Sequence, residues 1–189
     1  NGAKAALAYC YEWGLGVEND HELAFKMYTE LHDSGDSEGT AGLASCYYGG
    51  HSVKQNASQA FRLASQAAEK GSAYGRVVLG WCFENGKGVP QDHKQAFIWY
   101  QKAAEQGHVS GQWKLGVCYE GGRGVAQDYK QAFMWYQKTA DQGDVDAQYS
   151  LGMFYESGRC VAQDDQEAFV WYQKAAEQGH ADAQYKLGL

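Results

Sequence analysis

Proline occurs only once in the 189 residues of this chain, and no basic run or long apolar stretch interrupts it. One proline beside 24 glycines describes helices parted by glycine turns, not a loop-rich or disordered chain. Lys and Arg total 16 against 23 Asp and Glu, a formal net charge of −7. Phosphate binding needs clustered Lys and Arg, so nucleic acid is not the expected partner. The modest acidity chiefly serves solubility and is compatible with a basic partner surface. No segment approaches the roughly 20 apolar residues of a membrane helix, so no membrane insertion is expected. No signal-peptide pattern is visible, and residue 1 already lies inside a repeat. Neither Cys-x2-Cys nor His-Glu-x2-His spacing occurs, so no metal or other cofactor is expected.

What the chain has instead is a period. Leu7, Leu43, Leu79, Leu115, Leu151 and Leu187 stand 36 residues apart, each followed by Ala or Gly. The units are 1–36, 37–72, 73–108, 109–144 and 145–180, with a partial sixth at 181–189. No insertion breaks the register, so the chain reads as a single solenoid domain, 1–189.

Each unit divides into two helices, A and B. In the fifth, Ala147, Leu151, Phe154 and Tyr155 fall on one face of helix A, and Ser157-Gly158 ends it. Gly152 lies beside that face, where a missing side chain lets a neighbouring helix come close. Asp164 with Glu167 has capping-box spacing at the start of helix B, as do Asp92 with Gln95, Asp128 with Gln131 and Asn56 with Gln59. Ala168, Trp171, Tyr172, Ala175 and Ala176 form the expected buried stripe of helix B. Two such helices cannot bury these faces alone, so adjacent units must stack.

These residues resemble the Sel-one-like repeat, a relative of the tetratricopeptide repeat. The resemblance rests on Leu79-Gly80, Gly86-x-Gly88-Val89, Asp92, Ala96, Trp99-Tyr100, Ala103-Ala104 and Gly107, and on nearly the same series from Leu115 to Gly143 and from Leu151 to Gly179. The first two units depart from it: Met27-Tyr28 and Leu63-Ala64 replace the Trp-Tyr pair. Ser52 and Cys160 replace turn glycines. The resemblance implies an all-α fold, a right-handed α/α superhelical solenoid whose concave groove is lined by A helices. It also implies an adaptor, scaffold or receptor role in protein complexes. Some bacterial members of the family resemble regulators of envelope signalling, host-interaction factors or immunity proteins that neutralise a toxin.

Cys10, Cys46, Cys82 and Cys118 share one repeat position, which Phe154 fills in the fifth unit, so they read as small apolar fillers. A cysteine-rich branch of the family cross-links two cysteines within one repeat, and the second partner is absent here. Unpaired cysteines favour a reducing, cytoplasmic compartment over a periplasmic or secreted one. Glu12, Glu84, Glu120 and Glu156 also share one position, but repetition alone imposes such spacing. The Gly-x-Gly elements precede Val and an N-cap and read as turns. No nucleophile or oxyanion hole is marked, so no enzyme is expected, and hydrolysis of the kind proposed for cysteine-rich relatives is the weakest alternative.

Six tryptophans sort into two sets. Trp99, Trp135 and Trp171 hold the repeated helix B position and read as core. Trp13, Trp81 and Trp113 do not. On a helical wheel, the positions two before and two after the repeated leucine point away from the core direction. The earlier position holds Ala5, Ala41, Val77, Trp113, Tyr149 and Tyr185; the later holds Tyr9, Ser45, Trp81, Val117, Met153 and Leu189. Tyr74 and Trp13 fall on neighbouring directions. This face varies between units while the opposite face stays fixed, as expected of a recognition surface. Trp13, Tyr74, Trp81, Trp113, Tyr149, Met153 and Tyr185 are therefore the expected partner-binding residues, for another protein or a peptide. Toxin neutralisation is a sharper version of the same reading, and end-to-end self-association is a further expectation.

Overall fold

The computed structural model describes residues 1–188; Leu189, which shares the position of Trp81, lies outside them. The described residues form helices α1 Gly2–Trp13, α2 His21–Asp33, α3 Ser37–Gly49, α4 Ala57–Glu69, α5 Ala73–Asn85, α6 His93–Glu105, α7 Val109–Gly121, α8 Tyr129–Ala140, α9 Val145–Ser157, α10 Asp165–Glu177 and α11 Ala181–Leu187. Odd-numbered helices are A helices and even-numbered ones are B helices. None is long and apolar enough to cross a membrane. Their contacts group into two compact units, Asn1–His108 and Val109–Leu189, divided at a repeat boundary. Within the first unit each helix packs on the next, and A also packs on A: α1 on α3, α3 on α5. Within the second, α7 to α11 pack in succession.

The turn between A and B explains why the repeat keeps its length. Gly86 and Gly88 take φ of 65° and 77°, a conformation L side chains resist. Ser52 and Cys160 adopt the same conformation, with φ of 59° and 63°, so the turn survives the loss of its glycine. Asp20, Asn56, Asp92, Asp128 and Asp164 then cap each B helix, accepting from the N–H three residues on at 2.9–3.1 Å. Only this half of the expected capping box forms. The cap's own N–H donates to a helix A carbonyl nine residues back, as Asp92 does to Phe83 at 2.9 Å, which leaves Gln95 no role there. Gln55, Gln91 and Gln127 close the turn by donating to the carbonyl seven residues back at 2.7 Å.

The core differs from the expectation in two ways. The expected stripe of α10 is buried throughout, Trp171 included, but in α6 and α8 it is the tyrosine of the Trp-Tyr pair that is buried. Tyr100 and Tyr136 are 0% and 1% exposed, whereas Trp99 and Trp135 are only partly buried and Trp171 alone is buried. The outer faces of these indoles are covered by the lysine three residues on, with Nζ of Lys102, Lys138 and Lys174 lying 4.0, 5.2 and 3.8 Å from the ring centres. Secondly, the small residue after the repeated leucine admits that tyrosine ring, not a helix backbone. A Cβ on Gly80, Gly116 or Gly152 would meet the ring of Tyr100, Tyr136 or Tyr172 at 2.3–2.5 Å. Backbone approach happens elsewhere: a Cβ on Gly39 would meet Leu31 Cβ at 2.3 Å and His32 N at 2.8 Å.

The second repeat lacks both members, with Ala44 in the glycine position and Ala64 in the tyrosine position, while in the first Ala8 coexists with Tyr28, whose ring lies instead where a Cβ on Gly42 would fall. Gly80→Ala is accordingly expected to cost about 1–3 kcal/mol by overpacking. In a Tyr100→Ala background the same substitution costs little, because the ring it strikes is gone. Urea denaturation of the four proteins of this cycle measures the coupling; equal costs in both backgrounds contradict it.

Candidate protein-binding face

The first unit gathers aromatic side chains from α1, α3 and α5 against one another. Trp13 and Trp81 meet edge to face with centroids 6.1 Å apart, and Tyr48 lies 5.7 Å from Trp81. Tyr9 stands 6.2 Å from Trp13 and 5.1 Å from Tyr74, which stacks on His108 at 5.8 Å. Trp13 is 42% exposed, Trp81 and Tyr48 are partly buried, and Tyr74 is buried at 4%. Tyr74 therefore supports the cluster from below.

Beneath it lies Glu12, 1% exposed. Its carboxylate accepts from Tyr28 Oη at 2.8 Å, Tyr74 Oη at 3.0 Å and Ser45 Oγ. Trp13 Nε1 donates in turn to Tyr74 Oη at 3.3 Å. Burial pushes the Glu12 carboxyl above its usual pKa range, and the hydrogen bonds from Ser45, Tyr28 and Tyr74 oppose that rise. Burial also pushes Tyr48 up to about 12 and pulls His108 down to about 4.

The glutamate is one member of a series. Tyr100 Oη donates to Glu84 at 2.6 Å, Tyr136 Oη to Glu120 at 2.7 Å and Tyr172 Oη to Glu156 at 2.7 Å. Glu120 additionally meets Arg159 at 3.0 Å, and Glu156 meets Lys186 at 2.8 Å. The hydrogen bond from Lys186, followed by that from Tyr172, holds the Glu156 carboxyl below its usual range. The spacing of the glutamates alone did not reveal this pairing. A signal for it exists, because the second repeat loses both partners together, with Tyr48 in the glutamate position and Ala64 in the tyrosine position.

In the second unit the remaining expected residues lie on α7, α9 and α11. Trp113 is partly buried, with Lys114 Nζ 5.3 Å from its ring centre, and its indole N–H is buried without a partner among the described residues. Tyr149 stacks on His180 at 4.5 Å. Tyr149 and Met153 pack against the core of Tyr172 and Ala176, while Tyr185 is 84% exposed. The positions they share are not uniformly outward: Ala5, Ala41 and Val77 before the leucine, and Ser45 after it, are buried. In the first unit A helices pack on A helices, which makes part of this face interior.

The thiols carry no comparable arrangement. All five cysteines are free, and burial pushes Cys46 and Cys82 up to about 12, so these two are protonated fillers at neutral pH. No group of three or more metal-ligating side chains occurs among the described residues.

The chain resembles several solved structures. A Sel1 repeat protein from Oxalobacter formigenes is 32% identical with a TM-score of 0.79, covering 99% of this chain and 76% of its own. A protective antigen of uropathogenic Escherichia coli displaying an SLR fold is 33% identical with a TM-score of 0.72 over 98% of this chain; the chain spans 40% of that protein. An immunity protein of Pseudomonas aeruginosa, Pa5087, shares 21% identity and a TM-score of 0.64 over 95% of this chain and 68% of its own, a likeness of fold alone. Among curated proteins, none matches. The model of the Sel1 repeat fits residues 2–35, 37–72, 73–108, 109–144 and 145–180, which is nearly the whole sequence. Matched by that model in five successive units, the chain belongs to the Sel1 repeat family.

Proposed function

We propose that this chain is a non-catalytic adaptor that binds another protein on the aromatic face of its A helices, with Trp13 and Trp81 at the centre of the contact in the first unit. The observation that carries this is the identity of the two positions. Where Trp13 stands, the other repeats have Gly49, Asn85, Gly121 and Ser157; where Trp81 stands, they have Tyr9, Ser45, Val117 and Met153. The repeat closes without an indole at either place, yet here two indoles meet at 6.1 Å with one of them exposed. Large rigid aromatics that packing does not demand are the residues that dominate protein interfaces. Trp113, Tyr149, Met153 and Tyr185 are the corresponding contacts proposed for the second unit.

The test is affinity capture from lysate of the source organism with quantitative mass spectrometry. The intact chain is compared with Trp13→Ala/Trp81→Ala. A specific partner should be enriched on the intact chain and fall at least about tenfold on the variant, the equivalent of roughly 1.4 kcal/mol. Far-UV circular dichroism of the variant should be nearly unchanged. Loss of helicity would assign the pair to the core, and equal capture by both proteins would refute the site.

A further inference from the structure

We propose that the Trp13–Trp81 pair receives a cationic side chain of the partner, an arginine whose guanidinium stacks on the exposed indole face. This names the partner's chemistry at the face described above and rests on that reading. The first argument is a comparison among the tryptophans. Trp99, Trp113, Trp135 and Trp171 each carry a lysine of this chain over the ring, at 3.8–5.3 Å from its centre. Among the described residues no cation lies over Trp13 or Trp81. The fold thus supplies a cation to four of its indoles and leaves two without one, and one of these two is the exposed Trp13.

The second argument is the carboxyl beneath them, which has no cation of its own. Glu120 meets Arg159, 39 residues on, and Glu156 meets Lys186, 30 residues on. Counted from Glu12, those positions hold His51 and Gly42. Gly42 has no side chain to offer, and His51 stacks on His21 at 4.4 Å instead. Among the described residues Glu12 is held by three hydroxyls and the Trp13 indole, with no cation beside it. Its carboxyl is linked to the indoles through the Tyr74 hydroxyl, which donates to the carboxyl and accepts from Trp13 Nε1. A cation brought to the ring faces also favours the ionised form of that carboxyl. The same aromatic cluster already holds one cation, Lys87, whose Nζ lies over the Tyr48 ring at 4.0 Å and donates to the Tyr48 carbonyl at 3.2 Å. That lysine is tethered to Tyr48 and shows which ligand chemistry the cluster already accepts. A planar guanidinium suits an indole face better than a strongly hydrated ammonium does.

The experiment uses the intact chain with its indole nitrogens labelled with nitrogen-15. It is titrated with the peptide acetyl-Gly-Arg-Gly-Arg-Gly-amide and with its citrulline counterpart, which keeps the shape and removes the charge. The Nε1–H resonances of Trp13 and Trp81 should shift with the arginine peptide and saturate, with an affinity about tenfold above that for citrulline. The other four indoles should stay in place. Trp13→Ala should remove the response of Trp81. Equal responses to both peptides, shifts spread over all six indoles, or no shift at all would each overturn the proposal. Failure here is separable from failure of the adaptor reading. A partner captured through Trp13 and Trp81 while the arginine peptide stays silent leaves the adaptor standing and removes the cation. Peptide binding with no partner captured does the reverse.

Discussion

Glu12→Ala is expected to destabilise the first unit by about 3 kcal/mol or more, the largest single effect of any polar substitution in it. The carboxylate is almost fully buried and accepts from Tyr28, Tyr74 and Ser45. Removing it strands two phenolic hydroxyls and a serine hydroxyl in a space sealed from water. An unmatched buried donor costs about 1–3 kcal/mol, and the hole costs more. Glu12→Gln keeps one acceptor oxygen and should lose less. Urea denaturation followed by tryptophan fluorescence measures both. Glu156→Ala provides the contrast, because Glu156 sits nearer solvent beside Lys186 and its loss should cost far less. Equal costs at the two sites would contradict the central place given to burial.

Acidification from neutral pH to about 4 should weaken the first unit by about 3 kcal/mol through His108 alone. Burial pulls this imidazole down from 6.5 to about 4. Its Nδ1 is buried with no partner among the described residues, and its ring lies flat against Tyr74. A base with a depressed folded pKa stabilises the native state above its unfolded pKa. That contribution is lost as pH falls from 6.5 towards 4, because the unfolded chain takes up the proton first. Glu12 acts with the opposite sign. Its raised pKa means that the native state gains stability as pH falls through that value, so the two groups partly cancel. His108→Phe keeps a flat ring against Tyr74 and removes the imidazole. Its unfolding midpoint should therefore fall less on acidification than that of the unaltered chain. Identical pH profiles for the two proteins would show that His108 is not the titrating group.

Much of this architecture was legible in the sequence. The leucine register, the glycine turns and the aspartate caps act through backbone geometry within a few residues, and a linear reading captures interactions of that range. The capping box was half right for the same reason. The aspartate reaches its own helix, but the partner for the cap's N–H comes from across the turn, nine residues away, as Asp92 finds Phe83. The helical wheel of one A helix assigned Ala41 and Val77 to the outer face, because a wheel carries no neighbouring helix. Packing of α3 between α1 and α5 places both inside.

The sequence by itself determined the repeat, the two helices per unit and the variable aromatic positions, since periodicity and local propensity are properties of a single strand of residues. Only the tertiary structure decided that Trp99 and Trp135 stay partly exposed, that Glu12 gathers hydroxyls from three helices, and that Trp13 meets Trp81 across 68 positions of chain. The physical reason is that burial and desolvation belong to the packed neighbourhood. A glutamate shared by four of the five repeats is one letter in the sequence, but its surroundings differ: hydroxyls and an indole at Glu12, arginine at Glu120, lysine at Glu156.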